Sequence, residues 1–180
     1  MKRIETGGFV FEFNDVLDAF VFDEVDVNKP TYHGVTALKA VDILVECEDR
    51  WFFIEVKNFH DPAQYDQHGS EKILRETLKY KFRDTYLYRY AENMVTKPII
   101  YICLLANLEN ALCTRMCKSL SVELPINKPT TRWQLELAQS CIVLNVDRWN
   151  QNFKRIGWSK DFQPNLLVIR ENPCHLRQKK

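Results

Sequence analysis

Residues 41–58, VDILVECEDRWFFIEVKN, limit the fold more than any other part of this chain. The runs 41–45 and 51–56 are short, apolar and rich in β-branched and aromatic side chains, the composition of strands. The polar segment Glu48-Asp49-Arg50 between them reads as a tight turn, so the stretch predicts a β-hairpin. Asp42, Glu55 and Lys57 are the charged residues that interrupt it. Side chains alternate along a strand, which puts Glu55 and Lys57 on one face and Ile54 and Val56 on the other. A two-residue loop pairs either Cys47 with Arg50 or Glu48 with Trp51. Asp42 lies opposite Glu55 in the first register and opposite Lys57 in the second. In both, the three charged side chains share a face. Opposed residues have Cβ atoms about 5 Å apart. Two carboxylates that close repel, and burial raises the pKa of at least one. A divalent cation removes that conflict.

The chain has 180 residues, which predicts one domain. No apolar run reaches the ~18 residues of a membrane span. The opening MKRIETGGF lacks the apolar core of a signal peptide. Both features predict a cytoplasmic chain with no membrane partner. The six cysteines include no CxxC and no paired Cys/His spacing, so free thiols are expected and a structural zinc site is not. Charge is divided along the chain. Residues 1–61 carry 6 Lys/Arg against 13 Asp/Glu, and residues 62–180 carry 19 against 11. That asymmetry suits an acidic metal site beside a basic surface for a polyanion, and it suits equally two halves that neutralise each other within one fold.

Along the chain, FVFEF at 9–13 predicts a strand. Asn14 caps an expected helix over DVLDAFVFDE, with Val16, Leu17, Phe20 and Val21 at helical spacing. Asp18, Asp23 and Glu24 on that helix are candidate supporting acids for the metal site. His33, alone in a loop punctuated by Pro30 and Gly34, reads as a surface or hydrogen-bonding residue. Ser70 caps a long helix running to about residue 93, with Leu74, Leu78, Phe82 and Thr85 on its inner side. Lys72, Arg75, Lys79, Arg83, Tyr86 and Tyr90 form a second stripe, a basic face ending in rings that suits a phosphate backbone. PIIYICLL at 98–105 predicts a central strand buried on both faces. A helix is expected over 109–120, a short one over 132–139, a strand over 141–146, a helix from Asp147, and an edge strand over 166–169. The expected division is a core of about 15–120, C-terminal strand and helix additions over 121–170, and a frayed tail over 171–180.

Asp42, twelve intervening residues and then Glu55-Val56-Lys57 resembles the motif of the PD-(D/E)xK nuclease superfamily. Restriction endonucleases, Holliday-junction resolvases and repair and defence nucleases belong to it. The order of an acidic helix, a charged hairpin, a long helix and a further strand and helix is also similar, over roughly residues 15–120. Val41 stands where the motif has proline. No QxxxY-type element follows Lys57; Lys79 and Arg83 are the candidates for that space. The resemblance implies an α/β, restriction-endonuclease-like fold, a central mixed β-sheet flanked by helices on both faces. It implies a Mg²⁺- or Mn²⁺-dependent endonuclease in which Asp42, Glu55 and the Val56 carbonyl hold the metal. Lys57 would orient the attacking water and stabilise negative charge. DNA is expected ahead of RNA as the polymer, and a homodimer is compatible. The alternative is an inactive module on the same fold that binds nucleic acid, or one that docks a protein through Trp133, Trp149 and Trp158.

Overall fold

The computed structural model describes residues 1–59, 71–155 and 170–171. The expected Ser70 cap, Trp158, the 166–169 strand and most of the expected tail lie outside them. The chain adopts the expected α/β class. A five-stranded mixed sheet is ordered β3 (Asp18–Val21), β4 (Ile43–Glu46), β5 (Trp51–Asn58), β6 (Ile99–Ala106), β7 (Ser140–Leu144). The first three strands are antiparallel neighbours, and β5, β6 and β7 run parallel. Parallel neighbours require crossovers, here through the helices α1 (Glu71–Ala91) and α2 (Asn110–Glu123).

Both helices cover one face. Leu78 and Phe82 of α1 and Cys113, Met116 and Leu120 of α2 join Phe53, Tyr101, Cys103 and Val143 in a single apolar cluster. The opposite face packs against helix α3 (Val146–Arg155) and a small sheet of β1 (Lys2–Thr6), β2 (Phe9–Phe13) and β8 (Arg170–Glu171). Phe9, Phe11, Phe13, Trp149 and Phe153 fill the space against Ile54, Val56, Ile102 and Leu104. Every residue of β6 is buried, as a strand sandwiched between two layers must be. Asn145 caps α3 by accepting the Arg148 N–H at 3.0 Å. Asn93, at φ +58°, follows the end of α1 in the left-handed conformation common there.

Two expected helices are strands or turns instead. Asp18–Val21 is β3, paired from Asp18↔Glu46 to Val21↔Ile43. Asp15 at φ +53° turns the chain before a helix could begin. β3 also covers an edge of β4 that would otherwise expose unpaired backbone. Residues 132–139 form no helix: Asn127 donates to the Ala138 carbonyl and Gln139 to that of Ile99, both at 2.8 Å, which draws the segment out beside the sheet.

Candidate active site

The hairpin closes in the first of the two registers. The Cys47 N–H donates to the Arg50 carbonyl at 2.9 Å, and Ile43 pairs with Ile54. One residue further, the same register places Asp42 opposite Glu55. Regular pairing ends there because the Asp42 carboxylate replaces a backbone acceptor: Oδ2 accepts the Val56 N–H at 2.6 Å. The N–H and C=O of one residue in an extended strand point the same way. The Val56 carbonyl therefore shares the strand side on which Asp42 sits.

Asp42 is held from behind by α1. Thr85 Oγ1 accepts the Val41 N–H at 2.9 Å, and Asp84 Oδ2 accepts that of Lys39 at 3.1 Å. The Asp42 carbonyl accepts the Phe22 N–H at 2.9 Å. On the far side of β5, the turn between β1 and β2 touches Val56. Gly7 sits at φ +59°, and a Cβ there would lie 2.7 Å from Val56 Cγ1. Asn58 fixes that turn by donating to the Gly7 carbonyl at 2.9 Å.

Glu55 is fully buried and points to the α1 face. Lys57 Nζ lies 2.7 Å from its Oε1, and Lys81 Nζ lies 3.6 Å from its Oε2. These are ion pairs, the nearer one at hydrogen-bonding distance. Burial, and then the charge of Asp42, push the Glu55 carboxyl up to about 7. Burial likewise raises Asp42, against the pull of Lys81 and Lys57. Two largely buried carboxylates this close repel, and a hard cation relieves that repulsion. Among the described residues no group of three or more His, Cys, Asp or Glu gathers into a cage. Two carboxylates, one backbone carbonyl and several waters are the kind of set that Mg²⁺ takes. The Lys57 side chain remains 31% exposed, so the cluster reaches solvent.

The supporting acids separate. Asp23 Oδ2 pairs with Lys81 Nζ at 2.8 Å and so joins the cluster. Asp18 pairs with Lys2 at 2.8 Å, opposite Glu46 at the other end of the hairpin. Glu24 pairs with Lys29 and accepts the N–H groups of Val25 and Asp26. Neither Asp18 nor Glu24 shares an ion pair or hydrogen bond with the Asp42–Glu55 pair. Lys81 is the residue that sequence reasoning missed. The signal was present: it follows Leu78 by three residues and precedes Phe82, so a lysine interrupts the apolar side of α1.

The basic stripe is engaged within the fold. Arg75 and Lys79 each reach Glu123 at 2.6 Å, Lys79 also reaches Glu76 at 2.7 Å, and Arg83 pairs with Asp84 at 2.8 Å. Lys79, Arg83 and Tyr86 line an open groove of about 450 Å³ beside Leu124 and Pro125. Lys72 is exposed, and Tyr86 stacks on Tyr90. His33 packs between Phe22 and Tyr88, and its Nδ1 accepts the Val35 N–H at 3.1 Å.

No family model matches this chain, and no curated protein does. Among solved structures it is similar to the small subunit (R.BspD6I2) of the heterodimeric restriction endonuclease R.BspD6I, with 17% identity and a TM-score of 0.41. That likeness covers 84% of this chain and 66% of the subunit, so the chain spans just under two thirds of its length. A similarity this remote transfers no residue roles. No helix among the described residues is long and apolar enough to cross a membrane.

Proposed function

We propose that this chain is a metal-dependent nuclease that hydrolyses phosphodiester bonds, with DNA as the expected polymer. The observation that carries the proposal is the fully buried Glu55 carboxylate, raised by burial and by the charge of Asp42, on the same hairpin face as Asp42 and Lys57. A hairpin stabilised only by cross-strand ion pairs has no need to bury an acid in this way. Surface pairs give well under about 1 kcal/mol, and burying a charge costs more than that.

Asp42 and Glu55, with the Val56 carbonyl, would hold Mg²⁺ or Mn²⁺. The ion would supply a more acidic water and offset charge on the scissile phosphate. Asp42 fixes the residue whose carbonyl would be its co-ligand, because it already accepts the Val56 N–H. Lys57, the residue after Val56 and partly exposed, would orient the attacking water and donate to the phosphate oxygens as they gain charge. Thr85 and Asp84 keep the chain before Asp42 from drifting off the hairpin face.

The test is nicking of supercoiled plasmid with Mg²⁺ or Mn²⁺, alongside a matched RNA. Asp42→Ala and Glu55→Ala should abolish cutting. Lys57→Ala should slow it by about 10²–10³, the usual cost of one donor to a developing oxyanion. Cutting by all three variants at the parent rate would overturn the assignment.

A further inference from the structure

The cluster contains a cation that the nuclease motif does not account for. Lys81 Nζ bridges two carboxylates, 2.8 Å from Asp23 Oδ2 and 3.6 Å from Glu55 Oε2. Its side chain is only 12% exposed, so the amine is committed to these partners and not to solvent. The asymmetry of the bridge is informative. The shorter contact is to Asp23, whose side chain is 43% exposed and lies at the rim. The longer one is to Glu55, which is fully buried.

We infer that Lys81 is a tethered stand-in for the divalent ion, neutralising the Asp42–Glu55 pair when no metal is bound and competing with metal for Glu55, with Asp23 as the anchor that holds it when metal enters. The inference rests on the metal-binding proposal above. A buried carboxylate pair without a cation would carry uncompensated charge. Lys81 shares its one positive charge between Glu55 and Asp23, so even with Lys57 on the other Glu55 oxygen the two lysines face three carboxylates, and the pair is partly neutralised and still accepts an ion. The amine sits on a flexible four-carbon stem and can withdraw toward Asp23 without moving the helix. Lys57 does not duplicate this role, because it lies on Oε1, at the exposed end of the cluster. Lys81 is thus a positioning residue that sets how tightly the site holds metal, not a ligand.

The measurement is Mn²⁺ affinity of the full chain by electron paramagnetic resonance, in the absence of nucleic acid. Lys81→Met removes the competing charge and retains most of the stem. It should bind Mn²⁺ at least about tenfold more tightly, because a unit charge at contact distance repels a divalent ion appreciably even through water. Asp23→Asn removes the anchor, leaves the amine on Glu55 and should weaken Mn²⁺ binding. Lys2→Met makes the same charge change at the far end of the hairpin, where Lys2 pairs with Asp18, and should leave affinity unchanged. Circular dichroism establishes that each variant is folded. A folded Lys81→Met chain with parent-like or weaker Mn²⁺ affinity overturns the stand-in role and leaves the nuclease proposal intact. A parent chain that binds no Mn²⁺ overturns both. Tightening by Lys2→Met equal to that by Lys81→Met would show a general charge effect and would also overturn it.

Discussion

Glu55 is where stability and the proposed chemistry oppose each other. Its carboxyl is raised from an ordinary 4.5 to about 7, by burial first and by Asp42 second. Between those values the folded chain holds a proton that the unfolded chain has released. Stability therefore falls as pH rises. The contribution is complete below the unfolded value and is lost as pH climbs through the folded one. Asp42 is shifted in the same direction for the same leading reason. Glu55→Gln removes the charge that burial penalises and retains the shape. Without metal it should match the parent near about pH 5 and exceed it by up to about 3 kcal/mol near about pH 8. Mg²⁺ should raise the melting temperature of the parent at the higher pH and leave that of the variant unchanged. Thermal denaturation at both pH values, with and without Mg²⁺, checks this. A variant less stable than the parent at high pH would mean that Lys57 and Lys81 already compensate Glu55 in full.

At the scale of elements, the site depends on α1 as much as on the hairpin. The regular β4–β5 ladder stops at Ile43↔Ile54, so the strand does not hold Asp42 through its own pairing. Asp42 accepts the N–H groups of Phe22 and Val56 instead, and Thr85 and Asp84 hold the residues before it, Val41 and Lys39, from the helix. Thr85→Val preserves shape but leaves the buried Val41 N–H without its acceptor. It should cost about 1–3 kcal/mol in urea denaturation, and it should lower nicking under conditions where the variant is fully folded. Equal activity per folded molecule would show that Asp42 needs no such support. This dependence also explains what the sequence could reveal. Alternation along a strand is a local rule, so the common face of Asp42, Glu55 and Lys57 was legible. The register was open because two turns fit the same residues, and only the Cys47–Arg50 bond decides between them. β3 was misread because Val16, Leu17, Phe20 and Val21 satisfy helical spacing; pairing with β4 overrode that local pattern. Lys81 was passed over because a lysine on a helix is usually on the solvent side, and its two acids lie 26 and 58 residues away in the chain.

Across the described residues of the molecule the acidic first part and the basic remainder meet at α1 and at Lys97, which pairs with Glu46 at 2.7 Å. Lys81 joins Asp23 and Glu55 to the helix, which is the mutual neutralisation that the charge division allowed. On the outer side of the same helix Arg75 and Lys79 are both drawn to one acid, Glu123 at the end of α2. Arg75 and Lys79 held in this way present less free charge to a polyanion than the exposed Lys72 and Arg83 of the same stripe, so any phosphate contact by the first two requires their release from Glu123. Glu123 itself is exposed, so water screens these pairs and Glu123→Gln should change stability little. Binding should change more. With two cations released, affinity for a labelled DNA duplex in EDTA should rise at low salt. The plot of log K against log salt should steepen by about 1–2, close to one counterion for each phosphate newly contacted. Fluorescence anisotropy over a salt series measures both. Tighter binding with a steeper slope would make this face of α1 the duplex-contacting surface. An unchanged slope would remove Arg75 and Lys79 from the interface and turn the search to the partly exposed side chains of Lys57 and Asp23 beside Asp42 and Glu55.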